Sequence, residues 1–175
     1  MRPTLQRRFT QLEHQKEAIL CDVSRLQVSQ QRFRPDAKTW SVLDILDHLV
    51  KVERSTLDMV HGNLPHGHSI SLRDRCGAVM VTAVMRSSIR VKVPSEATMV
   101  LPAEVTGVSE ISSRWNSTRN AILALLEGIE GRQLRTGLFR HPVGGWMNIV
   151  QTLGFISAHL QHHVLQIDRL KTLTG

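Results

Sequence analysis

The chain has 175 residues, 41% of them hydrophobic, which predicts a single domain (residues 1–175) with a sizeable core and no stretch apolar enough to span a membrane. Basic residues outnumber acidic ones by 22 to 15, but they are scattered and only 4% of residues are aromatic, so we expect no nucleic-acid binding; an anionic small molecule explains the charge at least as well. The N-terminus lacks an apolar signal core and the two cysteines, Cys21 and Cys76, form no C-x-x-C pattern, which predicts a cytoplasmic protein with reduced, packed thiols.

Four long segments repeat apolar residues with the period near 3.6 that is typical of amphipathic helices. The second has a strong start signal, because Ser41 and Asp44 can form a capping box and Trp40 can act in a hydrophobic staple. The fourth begins near Asn148, with Gln151 as its capping partner. The four predicted helices cover about residues 4–30, 41–60, 109–127 and 148–173.

The long middle section between the second and third helices carries an extra predicted helix over about residues 72–85. Residues 89–94 alternate apolar and basic side chains and form either a short strand or an extended linker. We favour the linker, because Pro94 and Pro102 would disrupt a central strand. Residues 140–146 read as a turn that leads into the last helix. The expected fold is all-α, a four-helix bundle with an extra short helix in a long middle connection.

Three histidines are the best candidates for a metal site. His159 and His163 lie four residues apart on the last predicted helix, so both side chains project from the same side. His48 lies beside the apolar stripe of the second helix and is the best candidate for a third ligand. Three histidines on two packed helices would leave an open position on a divalent ion, as in catalytic sites. The alternative is a set of buried histidines that hydrogen bond within the core.

The remaining histidines are weaker candidates. His162 is predicted to face solvent, and His141 precedes a proline at a turn, where a structural role is favoured. A glycine- and proline-containing loop after the second helix carries His61, His66 and His68. We expect that loop to be too flexible for a specific metal site. The residue after His159 is Leu160 where an H-E-x-x-H peptidase has its glutamate, so that chemistry is disfavoured.

Three blocks of sequence together resemble the DinB/YfiT-like superfamily of metalloenzymes. The blocks are F-R-P at 33–35 with W-S-V-L-D-I-L-D-H-L at 40–49, H-P-V-G-G at 141–145, and F-I-S-A-H-L-Q-H-H-V-L-Q-I at 155–167. The resemblance implies a bundle of up-down-down-up type, often a homodimer, in which three histidines hold nickel or zinc. Matched position by position, those ligands are His48, His159 and His163, the same three that their spacing suggests.

The resemblance also implies a range of activities. Similar proteins include transferases that use low-molecular-weight thiols such as bacillithiol or mycothiol, a thiol-dependent isomerase, and metal-dependent hydrolases. We therefore expect a thiolate or water at the metal, and no protein side chain, to be the nucleophile that acts on a small-molecule substrate. Arg119 is either a receptor for anionic parts of a cosubstrate or a solvated helix arginine. The alternative function is a non-catalytic metal-binding or dimerisation module of the same fold.

Overall fold

The computed structural model describes residues 1–87 and 98–174, and this part of the chain is mainly helical. Its α-helices are α1 (Pro3–Ser24), α2 (Val28–Arg32), α3 (Val42–Asn63), α4 (Leu72–Met85), α5 (Val108–Glu127) and α6 (Ile149–Thr174). A 3-10 turn covers Thr98–Val100, and strands β1 (Phe139–His141) and β2 (Gly145–Met147) form an antiparallel hairpin before α6. No helix within the described residues is long and apolar enough to cross a membrane.

The local start signals predict most helix boundaries correctly. Ser41 and Asp44 form the capping box of α3, and Asn148 and Gln151 exchange hydrogen bonds at the start of α6. The predicted first helix is wrong in one respect, because it divides into α1 and α2. Gln27 makes its own capping box at the start of α2 and so favours a new helix there.

The middle section differs from expectation in smaller ways. Helix α3 runs past Gly62 to Asn63, and α4 covers the extra helix that the sequence predicts at 72–85. The predicted turn at 140–146 is part of the β1–β2 hairpin, which covers residues 139–147. Helix α4 packs closely on this hairpin, since a Cβ added to Gly77 would lie 2.7 Å from the carbonyl oxygen of Gly144. The choice between strand and linker at residues 89–94 falls outside the described residues.

Contacts between the long helices establish an up-down-down-up bundle. Residue numbers rise in the same direction along α1 and α6 and along α3 and α5, so each of these pairs is parallel. Along α1 and α5 they rise in opposite directions. The contacts are Gln11–Ser157 and Asp22–Lys171, then Asp47–Arg114 and Glu53–Arg119, and finally Lys16–Asn116 and Glu13–Arg119. The predicted fold class is therefore confirmed.

A fully buried ion pair lies in the core between α3 and α5. One guanidinium nitrogen of Arg119 lies 2.7 Å from a carboxylate oxygen of Glu53, and another lies 3.5 Å from Glu13 on α1. The Arg119 side chain is only 1% exposed, so both sequence-based interpretations of this residue are wrong. It is neither solvated nor free to receive an anionic cosubstrate. Two charges can remain in such a core only because each neutralises the other.

Both cysteines lie at the surface. Cys21 on α1 and Cys76 on α4 are exposed and unpaired thiols. The expectation that they are packed is therefore wrong, although they form no disulfide with each other. Their positions on the outer faces of two amphipathic helices explain the exposure.

We predict that Arg119→Met lowers the free energy of unfolding by about 3–5 kcal/mol, because it leaves the Glu53 carboxylate buried without a partner. Urea denaturation at pH 7 measures the loss. Arg54→Met is the matched control, since Arg54 pairs with Asp58 on the surface and both side chains are 57% exposed. It should cost no more than about 1 kcal/mol. Equal losses in the two variants would contradict the assigned role of the buried pair.

Candidate metal centre

The structure brings His48, His159 and His163 together where α3 packs against α6. The Nε2 atom of His159 lies 3.3 Å from Nε2 of His48 and 3.1 Å from Nε2 of His163. One ligand atom from each ring lies within 4.8 Å of the other two. Four nitrogens bound tetrahedrally at 2.0–2.1 Å lie about 3.3 Å apart, so the two spacings to His159 are close to those of zinc ligands. These three residues could hold a metal ion.

A backbone carbonyl fixes the orientation of the His48 ring. Nδ1 of His48 lies 2.7 Å from the carbonyl oxygen of Val100, the last residue of the 3-10 turn. Because a carbonyl oxygen can only accept, the His48 proton must lie on Nδ1. The lone pair of Nε2 is then free and faces the other two rings. Orientation of a metal-binding imidazole by a carbonyl is typical of metal sites.

The residues around His48 hold the Val100 carbonyl in place. A carboxylate oxygen of Asp47 accepts a hydrogen bond of 2.8 Å from the backbone N–H of Ala103, and Lys51 donates one of 2.7 Å to the carbonyl of Leu101. Burial acts to raise the pKa of Asp47, but the Ala103 amide, Lys51 and Arg114 together outweigh burial and lower it. Successive turns of α3 therefore clamp the segment that positions His48.

Asp44 does not orient His48. Its carboxylate accepts hydrogen bonds of 2.7 Å from both the backbone N–H and the hydroxyl of Ser41, and its second oxygen pairs with Arg34 at 2.8 Å. The helix-capping interpretation of Asp44 is the one that the contacts support. The cap starts α3 two turns before His48 and so sets which face of the helix carries the ring.

A side-chain amide orients the His163 ring. Nδ1 of His163 lies 2.9 Å from Oε1 of Gln166, and Nε2 of the same amide lies 3.2 Å from Nε2 of His162. His162 is buried at 5% exposure, so the prediction that it faces solvent is wrong. It nevertheless lies outside the group of three ligand atoms. With its proton on Nδ1, His163 also presents a lone pair on Nε2.

His159 lies between the Nε2 lone pairs of His48 and His163. Its Nε2 is within hydrogen-bonding distance of the Nε2 atoms of both His48 and His163. One N–H group must therefore serve two acceptors, and the shared bond leaves the buried nitrogens incompletely satisfied. A cation at this point would satisfy all three nitrogens once His159 carries its proton on Nδ1. The donor chemistry of the site thus fits a metal ion.

Burial keeps the three rings neutral. Burial lowers the pKa of His159 well below its ordinary value, and the nearby charges of protonated His163 and His48 would lower it further. Burial, with help from His48, lowers the pKa of His163 to about 3, and burial also lowers the pKa of His48. Metal ions bind the neutral imidazole, so the site remains in its binding-competent protonation state at neutral pH.

Aromatic side chains enclose the cluster. Trp40 lies 4.8 Å from the ring centre of His48 and is stacked at 6.4 Å on His163, while Phe155 is stacked at 5.7 Å on His159. The three histidines are 3%, 8% and 5% exposed in chain order. A charge at this point would therefore interact with the ring nitrogens through a medium of low dielectric constant, where such interactions are strong.

His141 supports the turn of the hairpin. Its Nδ1 accepts hydrogen bonds from the backbone N–H groups of Val143 at 3.2 Å and Gly144 at 3.0 Å. Its ring meets the edge of Phe155 at 4.9 Å, and burial lowers its pKa to about 4. These contacts give His141 the structural role that the sequence favours.

The loop histidines do not gather around a common point. His68 stacks on Trp146 at 3.7 Å and exchanges backbone hydrogen bonds with Gly137, which joins the loop to the hairpin. His61 and His66 are exposed. Within residues 1–87 and 98–174, the cluster on α3 and α6 is the one group of three or more histidine, cysteine or acidic side chains with metal-ligand spacing.

Sequence reasoning missed three contributors to the site. Gln166 follows His163 by three residues on the same helix, so the helical period could have identified their contact. Trp40 was predicted to pack at the start of α3, but its contact with two histidine rings depends on α6. The carbonyl of Val100 had no sequence signal, because any residue type provides one.

Comparisons with known proteins identify the family of this chain and agree with its fold. A family model described as the DinB superfamily matches residues 11–167. The chain belongs to the DinB superfamily. Among solved structures, YfiT from Bacillus subtilis aligns with a TM-score of 0.59 and 17% identity, over 97% of this chain and 87% of that chain. YfiT is described as a probable metal-dependent hydrolase with an unusual four-helix bundle topology. The comparison with curated proteins gave no match.

At 17% identity the likeness to YfiT shows the fold. This DinB-superfamily chain has an up-down-down-up bundle in which three buried histidines could hold a metal ion.

We predict that the metal-free protein loses stability as the pH falls from 7 to 5. Unfolded histidines take up protons near pH 6.5, whereas His163 and His141 in the folded protein remain neutral until about pH 3 and 4. The unfolded state therefore binds more protons, and each such ring lowers the free energy of unfolding by up to about 1.4 kcal/mol per pH unit.

Urea denaturation at pH 7, 6 and 5 with chelator present measures this slope. His141→Asn is the comparison variant, because its side-chain oxygen can replace Nδ1 as an acceptor while removing one titrating group. The pH dependence of its free energy of unfolding should be smaller by the contribution of one proton, up to about 1.4 kcal/mol per pH unit. A free energy of unfolding that does not change between pH 7 and 5 would contradict the prediction.

Proposed function

We propose that the protein is a cytoplasmic metal-dependent enzyme in which His48, His159 and His163 bind one divalent ion, nickel or zinc. It would use a low-molecular-weight thiol or water as nucleophile in S-transfer to, or hydrolysis of, a small electrophile. The single observation that carries this proposal is the arrangement of the three ring nitrogens around one point, two of them with lone pairs aimed there by hydrogen bonds at Nδ1. A set of imidazoles without carboxylates suits zinc or nickel better than magnesium or calcium.

The charge of the site favours an anionic ligand. Three neutral imidazoles leave the double positive charge of a divalent ion uncompensated, and the described cluster contains no carboxylate or cysteine that would reduce it. Such an ion, when bound, lowers the pKa of a thiol or water molecule that coordinates it. The protein would hold the three donors in their neutral tautomers and, through Trp40 and Phe155, keep bulk water away from them.

Two observations bear on which nucleophile is used. YfiT, whose fold this chain shares, is described as a probable metal-dependent hydrolase, and this supports water. The resemblance to thiol-dependent transferases supports a thiol. The low exposure of the three rings instead favours the rival function, a closed metal-binding or dimerisation module without catalysis. Activity assays can separate these three functions.

We predict about one divalent ion per chain in freshly purified protein, by elemental analysis. His48→Ala, His159→Ala and His163→Ala should each weaken zinc binding by more than about 100-fold, since each removes a direct ligand, and loss of a supporting residue alone costs 10–100-fold. His162→Ala removes no direct ligand and should cost less than any of these three substitutions. His61→Ala, at an exposed histidine on α3, is the matched control and should retain the ion. Equal losses in His162→Ala and His163→Ala would show that the wrong ring was chosen, and full occupancy in the three ligand variants would refute the site.

The enzymatic proposal predicts that turnover of an electrophile requires the ion. An activated aryl halide and a nitrophenyl ester, each tested with and without a low-molecular-weight thiol, are suitable probes. A transferase should need both thiol and metal, and a hydrolase should need metal and water alone. Chelator and His163→Ala should abolish either activity. Turnover that persists with chelator would contradict metal dependence, and no turnover of any probe by metal-loaded protein would favour the non-catalytic module.

A homodimer through the outer face of α4 forms part of the proposal. This face consists of Leu72, Cys76, Val79, Met80 and Ala83, which the helical period places within one quadrant. Leu72, Val79 and Met80 are 77%, 69% and 51% exposed, whereas Val81 and Met85 on the opposite face are buried against the bundle. Contiguous exposed apolar side chains on one helix are typical of an interface, and a second copy offers the same surface in return.

We predict that the protein at micromolar concentration has twice the chain mass of 19.7 kDa in light scattering. The double substitution Val79→Glu with Met80→Glu should produce a monomer, because it places charges at the centre of the apolar face. Val28→Glu is the control, since Val28 is 66% exposed but lies on α2. A monomeric wild-type protein, or a dimer that survives the double substitution, would exclude this interface.

A further inference from the structure

We propose that Gln166 is a positioning residue whose amide couples the tautomers of two histidines. His162, which is not a ligand, would then carry its proton on Nδ1 whenever His163 presents Nε2 to a metal. This inference rests on the proposed metal site and adds a partly buried side chain that positions one of its ligands. We call the three residues His162, Gln166 and His163 the amide relay.

The relay consists of two hydrogen bonds on one helix. Oε1 of Gln166 lies 2.9 Å from Nδ1 of His163, and Nε2 of Gln166 lies 3.2 Å from Nε2 of His162. Gln166 follows the two histidines by four and three residues, so the turn of α6 brings its amide between them. Both rings are buried at 5% exposure, which limits the competition from water for these hydrogen bonds.

The amide has two orientations with opposite consequences for the metal. Its oxygen only accepts and its NH2 group only donates. In the observed orientation the oxygen requires a proton on Nδ1 of His163, which leaves the lone pair of Nε2 for a metal. The reversed orientation would donate to Nδ1 of His163 and move the proton to Nε2, where it blocks the metal position. It would also require His162 to carry its proton on Nε2.

Helix α4 ends beside His162. Burial lowers the pKa of His162, and the backbone carbonyls of Ser87 and Met85 act in the opposite direction, toward a proton on the ring. Nδ1 of His162 is buried and has no hydrogen-bond partner among the described residues. Because Nε2 faces the NH2 group of Gln166, Nδ1 is the nitrogen left to carry the ring proton.

The amide relay lies within α6. The tautomer of His162 and the orientation of the Gln166 amide must agree, and the amide orientation determines which nitrogen of His163 is free. His48 has a simpler arrangement, because the Val100 carbonyl fixes its tautomer directly. The two ligands therefore differ in how firmly their lone pairs are held, and only His163 depends on a side chain that can turn over.

Nuclear magnetic resonance of protein with ¹⁵N-labelled histidine tests the relay, because long-range ¹H–¹⁵N spectra distinguish the two neutral tautomers. Spectra are recorded for metal-free and zinc-loaded protein, and the dissociation constant for zinc is measured by competition with a chelator. In wild type we expect His162 and His163 to carry their protons on Nδ1 in both states. Gln161→Leu, which replaces an exposed glutamine on the same helix, is the control and should match wild type.

Two substitutions of Gln166 separate its functions. Gln166→Leu removes both hydrogen bonds, so zinc should bind at least about tenfold more weakly and His163 should show mixed tautomers without metal. Gln166→Glu keeps an acceptor for His163 but cannot donate to His162. Zinc affinity should then be retained or increased, while His162 changes to the Nε2–H tautomer. A purely structural role for Gln166 would not produce this split.

An Nε2–H tautomer of His162 in zinc-loaded wild type would overturn the relay, as would wild-type zinc affinity and tautomers in Gln166→Leu. If Gln166→Leu fails to fold by circular dichroism, the tautomer of His162 in Gln166→Glu decides the question. A wild-type protein that does not bind zinc or nickel would refute the proposed function. The tautomers of the metal-free protein would still decide whether the relay exists.

Discussion

Three histidine rings are buried where α3 packs against α6. Burial excludes the water that would hydrogen bond to their nitrogens, and it disfavours the protonated, charged form of each ring. Each ring must therefore be neutral, and each Nδ1–H that the structure fixes needs an acceptor from the protein. The Val100 carbonyl meets this need for His48 and the Gln166 amide for His163. Both solutions leave the Nε2 lone pairs facing inward. The burial that keeps the three rings uncharged thus also prepares a site for a cation.

Helix α3 carries two kinds of buried polar chemistry in succession. Around His48 it uses Asp47 and Lys51 to hold the segment that supplies the Val100 carbonyl. Five residues further along, Glu53 forms a fully buried pair with Arg119. The pair is neutral as a unit, so it does not bring net charge into the core. The fold therefore accommodates an ion pair and a set of neutral donors on one helix.

Helix α4 contributes to the molecule on both of its sides. Its inner side packs on α6 and the hairpin, and the carbonyls at its end act on His162. Its outer side carries the exposed apolar face proposed for a second copy. Membership of the DinB superfamily establishes the bundle, whereas the reaction depends on these particular contacts.

Local interactions allowed the sequence to determine the helices and the membership of the histidine cluster. The period of 3.6 residues per turn identified the four long helices and α4, and caps at Ser41 and Asn148 placed their starts. The spacing of His159 and His163 and the apolar stripe around His48 brought the right three rings together. The short hairpin escaped detection, because pairing across a turn leaves a weaker pattern than a long amphipathic helix.

Only the tertiary structure decided how the polar side chains are used. Arg119 is buried because Glu53, 66 residues earlier in the chain, meets it across the bundle. The Val100 carbonyl reaches His48 from 52 residues away. His162 is buried although its place away from the apolar stripe predicted exposure, because α4 covers that side of α6. The sequence by itself determined which residues share a helix face. Which nitrogen of each ring is free depends on partners distant in sequence, whose positions only the packing of the helices establishes.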